Sequence, residues 1–387
     1  MMTLTEFLFW LSFALLIAIY FGYPLFLHAA AGFKADYTTC GKVGTYLPSV
    51  TLLIAVYNEA EIIELKLKNS LEQDYPADKY NIVVVSDGST DDTESIVKKY
   101  ENGRIKLFSI GERKGKTNAI NIVMPELTCD IVVFSDANSI YAPDAIKLLV
   151  NHFQNKQIGG VCGKLLYNGK SRSGFNETSE GMYWKYENWI KSNESKVSKL
   201  IVFNGSIYAI RRELHKPMNI QAANDLQHPL QVLMQGYNNI YAPEAVACEK
   251  TSHDERSEFR RHVRIALRGW KGLAAYPQIL LPVRYGLLSF HLFARKVLRW
   301  LSPLFLITIF ITNLFLFSEP FYGILFYIQI TFYLLALAGL LLSKKGLNTA
   351  VNIFYYFCMA NAALLVAFIK FCCNNDSSLW TPTSHHK

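Results

Sequence analysis

The chain has 387 residues, of which 51% are hydrophobic, and a formal net charge of +8 at pH 7. That balance excludes a disordered chain, and the length suits one large domain with appendages. Nucleic acid is also excluded as the reason for the charge, because residues 253–300 alone hold ten Lys or Arg against three Asp or Glu and run straight into an apolar stretch, a basic collar of the kind that sits beside a membrane span.

Residues 4–31 are almost wholly apolar, with Glu6 and His28 near the ends. This run predicts a membrane anchor over residues 1–31, since a span needs about 20 apolar residues and a signal-peptide core is shorter. A polar, Gly-containing linker follows over 32–48, carrying Lys34 and Lys42. An α/β rhythm then begins. Apolar β-branched runs predict strands at 50–56, 81–87, 105–109 and 130–135, and helical periodicity places helices at 59–72, 91–99 and 116–124. Such alternation predicts a parallel sheet with crossover helices over 49–151. Beyond it come a strand at 161–167 and an aromatic-striped helix at 174–193. A short strand at 206–211 and a helix from Asp225 closed by Gly236 complete a domain spanning 49–252.

Basic amphipathic helices at 255–275 and 285–300 form an interface segment, 253–300. Three apolar segments fill 301–373, at 301–317, 321–342 and 350–373, before a tail over 374–387. Lys344 and Lys345 lie in one connecting loop and Glu319 in the other, which orients the globular domain to the cytoplasm of an inner-membrane, multi-pass protein. The Asn352 and Asn361 amides leave open whether the last segment spans, re-enters or lies flat. Seven scattered cysteines (Cys40, Cys129, Cys162, Cys248, Cys358, Cys372 and Cys373) without C-x-x-C spacing predict reduced thiols and no structural zinc. The sequons at Asn176, Asn193, Asn204 and Asn375 read as chance matches.

Four acidic or amide sites fall at strand ends or helix starts: Asn58-Glu59, Asp87, Asp136 with Asn138, and Asp225. The carboxyl edge of an open parallel sheet brings such residues together although they are distant in sequence. Asp136 and Asn138 offer two oxygen ligands suited to a hard cation, Mg²⁺ or Mn²⁺, able to hold phosphate oxygens. Asp225 at a helix start suits either an N-cap or a general base toward an acceptor hydroxyl. Arg113-Lys114-Gly115-Lys116 suits a nucleotide's phosphates; it is not a P-loop, because three residues rather than four separate Gly111 from Gly115.

In order and spacing, these elements resemble the family 2 glycosyltransferases, in particular the membrane-anchored bacterial branch that builds surface polysaccharides and glycolipids. The resemblance runs from about residue 49 to 270 and on through the C-terminal spans. It rests on Tyr57-Asn58-Glu59, on Ser86-Asp87-Gly88-Ser89-Thr90-Asp91, on Arg113-x-Gly115-Lys116 with Asn118, Ala119 and Asn121, on Asp136-Ala137-Asn138, on Asn224-Asp225, and on Arg261-x-x-Arg264. It implies a GT-A fold, a Rossmann-like nucleotide-sugar-binding domain, and inverting, metal-dependent transfer from a nucleotide-diphosphate sugar, a UDP-sugar foremost. Tyr57, Asn58, Glu59, Asp87, Lys114, Lys116 and Asn118 would hold the donor. Asp136 with Asn138 would hold the metal, Asp225 would be the catalytic base, and Arg261 and Arg264 would offset charge on the nucleotide or on an acceptor phosphate.

Three departures shape the expectation. Asn138 and Asn224 stand where the family has acidic residues, and Arg261 and Ile265 stand where processive synthases have Gln and Trp. The last favours transfer of one sugar to a lipid-linked or glycan acceptor over a processive synthase. A silent sugar-binding scaffold is the rival from another class, opposed by the retained Asp87, Asp136 and Asp225. A transporter is disfavoured by the scarcity of ionisable residues in the spans.

Overall fold

The structure, a computed structural model, describes residues 2–32, 45–168, 175–197, 199–250, 255–343 and 351–374. Cys40, Lys34, Lys42, Lys344, Lys345, Asn375 and the tail beyond it, on which parts of the linker and orientation readings depended, lie outside those residues.

The N-terminal apolar run is helical in two stretches, α1 (Leu4–Ile17) and α2 (Tyr23–Gly32), joined by a π-helical turn at Ala18–Gly22. Thr3 and Glu6 close a capping box at its start, satisfying two otherwise unpaired helix N–H groups. The domain follows as β1 (Val50–Val56), α3 (Ala60–Leu71), β2 (Tyr80–Asp87), α4 (Thr93–Lys99), β3 (Ile105–Ile110), α5 (Lys116–Val123), β4 (Ile131–Ser135), the two-residue β5 (Ile140–Tyr141) and α6 (Ala145–Asn151). Then come β6 (Ile158–Asn168), α7 (Phe175–Lys196), β7 (Ile207–Arg211), α8 (Asn224–Met234) and β8 (Asn238–Lys250).

One eight-stranded sheet runs β3-β2-β1-β4-β7-β6-β8-β5. Strands β3, β2, β1 and β4 are mutually parallel, as the alternating pattern predicts, and β7 adds antiparallel to β4. Both sheet faces are covered, which is why these strands are apolar throughout rather than alternating. Leu52, Ile54 and Val84 pack with Ile63 of α3 and Ile146 of α6 on one side; Leu53, Val85 and Phe134 pack with Ile120 of α5 and Val232 of α8 on the other.

Helix α9 (Glu255–Ala275) is the predicted basic amphipathic helix. Its apolar residues Val263, Ala266, Leu267 and Trp270 pack against Ala363, Ala367, Phe368 and Phe371 of the last helix, α14 (Asn352–Cys372). Between them lie α10 (Pro282–Tyr285), α11 (Leu287–Leu292), a π-helical stretch Phe293–Leu298, α12 (Ser302–Phe315) and α13 (Pro320–Ser343).

Among the described residues, three helical runs are long and apolar enough to cross a membrane: Leu4–Gly32, Pro320–Leu342 and Asn352–Cys372. The segment expected at 301–317 is a 14-residue helix, roughly 21 Å long at 1.5 Å per residue and short for a bilayer core. It completes a fourth span only together with Leu287–Leu298, from which it bends by 57°.

A buried ionic cluster ties these helices to the domain. Arg295 meets Glu187 at 3.1 Å and Glu194 at 3.1 Å, and Arg299 meets Glu187 at 2.6 Å. Tyr23 of α2 donates to Glu194 at 3.0 Å and contacts His291 at 3.0 Å. Tyr186 and Ile190 of α7 add apolar contact with Tyr23, Leu27 and Ala31.

Candidate active site

The parallel register sets Val56 beside Ser86 and Ile54 beside Ser135. The chain therefore leaves β1, β2 and β4 at one edge, carrying Tyr57-Asn58-Glu59, Asp87 and Asp136 to the same place. Asn58 takes a left-handed conformation, φ 52°, and its amide laces two loops together. It donates to Thr90 Oγ1 at 3.2 Å and accepts from Thr90 N at 2.8 Å. Thr93 Oγ1 accepts from Glu59 N at 2.8 Å. Burial, with Asp136 next, pushes the Glu59 carboxyl up to about 7.

Asp87 is buried, and its two oxygens accept from Lys114 N at 3.0 Å and Gly115 N at 2.6 Å. In this geometry it anchors the basic loop. Arg113 stacks over the Tyr57 ring, its guanidinium 3.9 Å from the centroid. Gly88 makes this closeness possible: its φ is +73°, and a Cβ there would sit 2.8 Å from Arg113 N. Gly88→Ala is expected to destabilise the protein by roughly 1–3 kcal/mol through backbone strain, read as a lower melting temperature together with weaker nucleotide binding. Binding at wild-type strength would mean that the loop does not need this approach.

Lys116 starts α5 and reaches Asp136 Oδ1 at 2.5 Å and Gly205 O at 3.3 Å. Asp136 Oδ2 accepts from Ser206 Oγ at 3.0 Å. Asn118, in the first turn of α5, keeps a buried amide nitrogen with no acceptor among the described residues, a donor suited to an oxygen-rich ligand. Lys114 points away, pairing with Glu112 at 3.1 Å on the surface.

Asp225 is the second residue of α8. Burial raises its carboxyl above the ordinary aspartate range, against the pull of Lys116, Arg268 and Lys296, while the Asp136 charge adds to the rise. On α9, Arg264 and Arg268 stand one turn apart on one face, and Arg261 lies a turn earlier. Burial, Arg268 and Arg261 push Arg264 down to about 10, with Asp136 acting the other way. Arg268 donates to Thr117 Oγ1 at 2.9 Å and Ala222 O at 2.8 Å. Arg261 pairs with Glu258 within its own helix at 3.2 Å. The structure thus gathers Glu59, Asp87, Lys116, Asp136, Asp225 and Arg264 and leaves Lys114 at the rim.

Two residues went unnoticed in the sequence. Arg268 was legible as the next turn of the Arg261-Arg264 face. Glu249 was not, because its strand β8 was not anticipated. Ser139 donates to Glu249, whose carboxyl is pushed up by burial and by Asp136. Lys66, buried beneath with its ammonium on Ser139 O at 2.5 Å, is brought down to about 7 by burial.

Among the described residues no three His, Cys, Asp or Glu side chains converge as a metal-binding group. The donor set nonetheless fits a hard divalent ion held in part by substrate. Asp136 and Asn138 give oxygen only, and Mg²⁺-type ions are commonly bound by one or two carboxylates plus phosphate oxygens.

Comparison with known proteins agrees with this architecture. Residues 51–217 match the family described as Glycosyl transferase family 2. A poly-β-1,6-N-acetyl-D-glucosamine synthase of Staphylococcus aureus is 34% identical over 127 residues, which is 32% of this chain and 30% of that protein. A β-monoglucosyldiacylglycerol synthase of Nostoc is 32% identical over 119 residues, 30% of this chain and 25% of that one. The aligned part is therefore under a third of either curated relative. A mannosyltransferase from Pyrobaculum calidifontis, solved with GDP-mannose and Mn²⁺, superposes with a TM-score of 0.72 at 26% identity, covering 95% of this chain and 99% of that one. The chain carries a family 2 glycosyl transferase domain in a GT-A fold.

Proposed function

We propose that the protein is an inverting, metal-dependent glycosyltransferase that moves a sugar from a nucleotide-diphosphate sugar to a hydroxyl of a lipid-linked acceptor in the membrane, toward a surface polysaccharide or glycolipid. The observation that carries this reading is the meeting of Lys116, Asp136 and Asp225 at the sheet edge under α9, a helix that packs on an apolar span-length helix. A donor bound at that edge and an acceptor rising from the bilayer would meet at Asp225. The domain then faces the cytoplasm of a multi-pass inner-membrane protein, where nucleotide sugars are available.

Asp225 takes the proton of the acceptor hydroxyl as its oxygen attacks the anomeric carbon. The bond from that carbon to the diphosphate oxygen breaks on the opposite face, releasing a nucleoside diphosphate and inverting the sugar. Lys116, Arg264 and Arg268 set positive charge where the departing diphosphate gathers negative charge. Asp136 and Asn138 hold the divalent ion, which supplies further charge to the same leaving group when bound. Tyr57, Asn58, Glu59 and Asp87 position the nucleoside end, and Asn118 offers its amide to the sugar-phosphate.

The test is a screen of UDP- and GDP-sugars, GDP-mannose among them, for Mn²⁺- or Mg²⁺-dependent release of nucleoside diphosphate by full-length protein with membrane lipid as acceptor. Absence of release from every donor would move the reading to a sugar-binding scaffold. The sign of the pH dependence is set by Asp225. The base works only when ionised and its pKa lies above the ordinary value of about 3.9. The kcat should therefore fall as pH drops through that raised value, and a flat kcat down to pH 4 would remove Asp225 from the role.

A further inference from the structure

Asn224, the residue just before the base, opens a buried line of hydrogen bonds that leads away from the substrate edge. Its Nδ2 donates to Tyr208 Oη at 2.6 Å. Tyr208 Oη lies 2.8 Å from His228 Nδ1, and His228 Nε2 lies 2.9 Å from His215 Nδ1. Asn224, Tyr208 and His228 are buried, and His215 is half-buried at the outer end.

Each link dictates the next. An amide nitrogen only donates, so the Tyr208 oxygen accepts there and its single proton is left for His228. His228 Nδ1 must then be bare, which fixes His228 as the neutral Nε2–H tautomer and makes it the donor to His215. His215 Nδ1 is in turn an acceptor and cannot carry a proton. Among the described residues no carboxylate lies within ion-pairing distance of either imidazole; burial and, for His228, the neighbouring His215 and the Lys116 charge all oppose their protonation.

The junction of this line also touches the other half of the site. Tyr208 stacks on Phe134 with ring centroids 4.6 Å apart and planes 9° apart. Phe134 stands two residues before Asp136 on β4, and Phe203 N donates to Asp225 O at 2.9 Å. Tyr208 therefore holds the start of α8 against the strand that delivers Asp136.

We propose that Asn224, Tyr208, His228 and His215 are positioning residues, a one-way hydrogen-bond relay that sets Asp225 against Asp136, and that an amide stands at 224 because an acidic side chain would reverse it. The kinetic part rests on Asp225 being the base; the direction of the relay does not. With a carboxylate at 224, the Tyr208 proton would go to that carboxylate. His228 would then donate through Nδ1, and His215 Nδ1 would have to carry a proton.

The experiment is long-range ¹H–¹⁵N correlation on ¹⁵N-histidine-labelled full-length protein in detergent at pH 7, with His228→Gln and His215→Gln for assignment. Both imidazoles are expected neutral with the proton on Nε2, and Asn224→Asp is expected to move the His228 proton to Nδ1. Finding His228 charged, or already protonated at Nδ1, would overturn the relay.

Turnover gives the second readout. Tyr208→Phe should lower kcat about tenfold with donor KM within about twofold, the mark of a displaced base rather than a lost binding contact. His228→Gln should restore most of the rate that His228→Leu loses, because a carboxamide can accept from Tyr208 and donate to His215. Equal, wild-type kcat for Tyr208→Phe and His228→Leu would overturn the positioning role. If Asp225→Asn keeps its activity while the tautomers are as expected, the assignment of the base fails and the relay stands.

Discussion

Asp225→Asn is expected to lower kcat about a thousandfold, in the middle of the range for losing a positioned general base, with donor KM within about twofold. The amide is isosteric, so the start of α8 and the Phe203 contact with the Asp225 backbone should survive. What disappears is the group able to take a proton. A hydroxyl must lose its proton as it attacks, and the charges that act on this carboxyl are those of Lys116, Arg268, Lys296 and Asp136. The cations cannot accept a proton, and Asp136 already faces the Lys116 ammonium and the Ser206 hydroxyl. Initial rates of nucleoside diphosphate release with saturating donor and acceptor make the measurement, and the acid limb of the pH profile should vanish with the rate. A variant that retains a tenth or more of wild-type kcat would place the base elsewhere.

Asp136→Asn should have the next largest effect, a loss of about a hundredfold to a thousandfold in kcat/KM, as when electrostatic support for a developing charge is removed. Two consequences combine. The divalent ion of the proposed mechanism would lose the charged member of the Asp136-Asn138 pair, and the largely buried Lys116 ammonium loses its counter-ion. Titration of Mn²⁺ followed by electron paramagnetic resonance, in the presence of nucleoside diphosphate, should show the affinity falling alongside turnover. Metal binding at wild-type strength would transfer the ligand role to another carboxylate that feels the Asp136 charge, such as Glu249 or Glu59.

The parallel half of the sheet was readable because its strands are short apolar runs cut off by Ser-Asp-Gly-Ser and Ser-Asp-Ala-Asn, and topology forces such ends to one edge. Strand β8 was hidden. It carries Pro243 and Glu244, and it pairs with β6 only because the register jumps from Gly163 opposite Ala242 to Lys164 opposite Val246. A proline in an apolar run reads as a break, and the bulge that accommodates it forms only against a partner strand. Glu249 was lost with it. The Tyr208-His228-His215 line was equally invisible, since its members meet through tertiary contact and follow no spacing. Arg268 is a different case: its position four residues past Arg264 stood in plain view, and only the contact with Thr117 and Ala222 gives it meaning. The 301–317 segment begins where the sequence places it, just past the bend that follows Leu298, but its helix stops at Phe315, so that it spans only together with Leu287–Leu298.

The cluster of Arg295 with Glu187 and Glu194, closed by Tyr23, bears on how such a protein can diversify. Removing one partner of a buried ion pair typically costs about 3–5 kcal/mol, and three separate stretches of the chain meet in this one. An anchor borrowed from another protein could match the length and hydropathy of α1 and α2 yet leave Glu194 without its phenol. The apolar N-terminal helices and the sheet domain are therefore coupled through buried charge, and a change on either side must keep Glu187, Glu194, Arg295 and Tyr23 matched to one another.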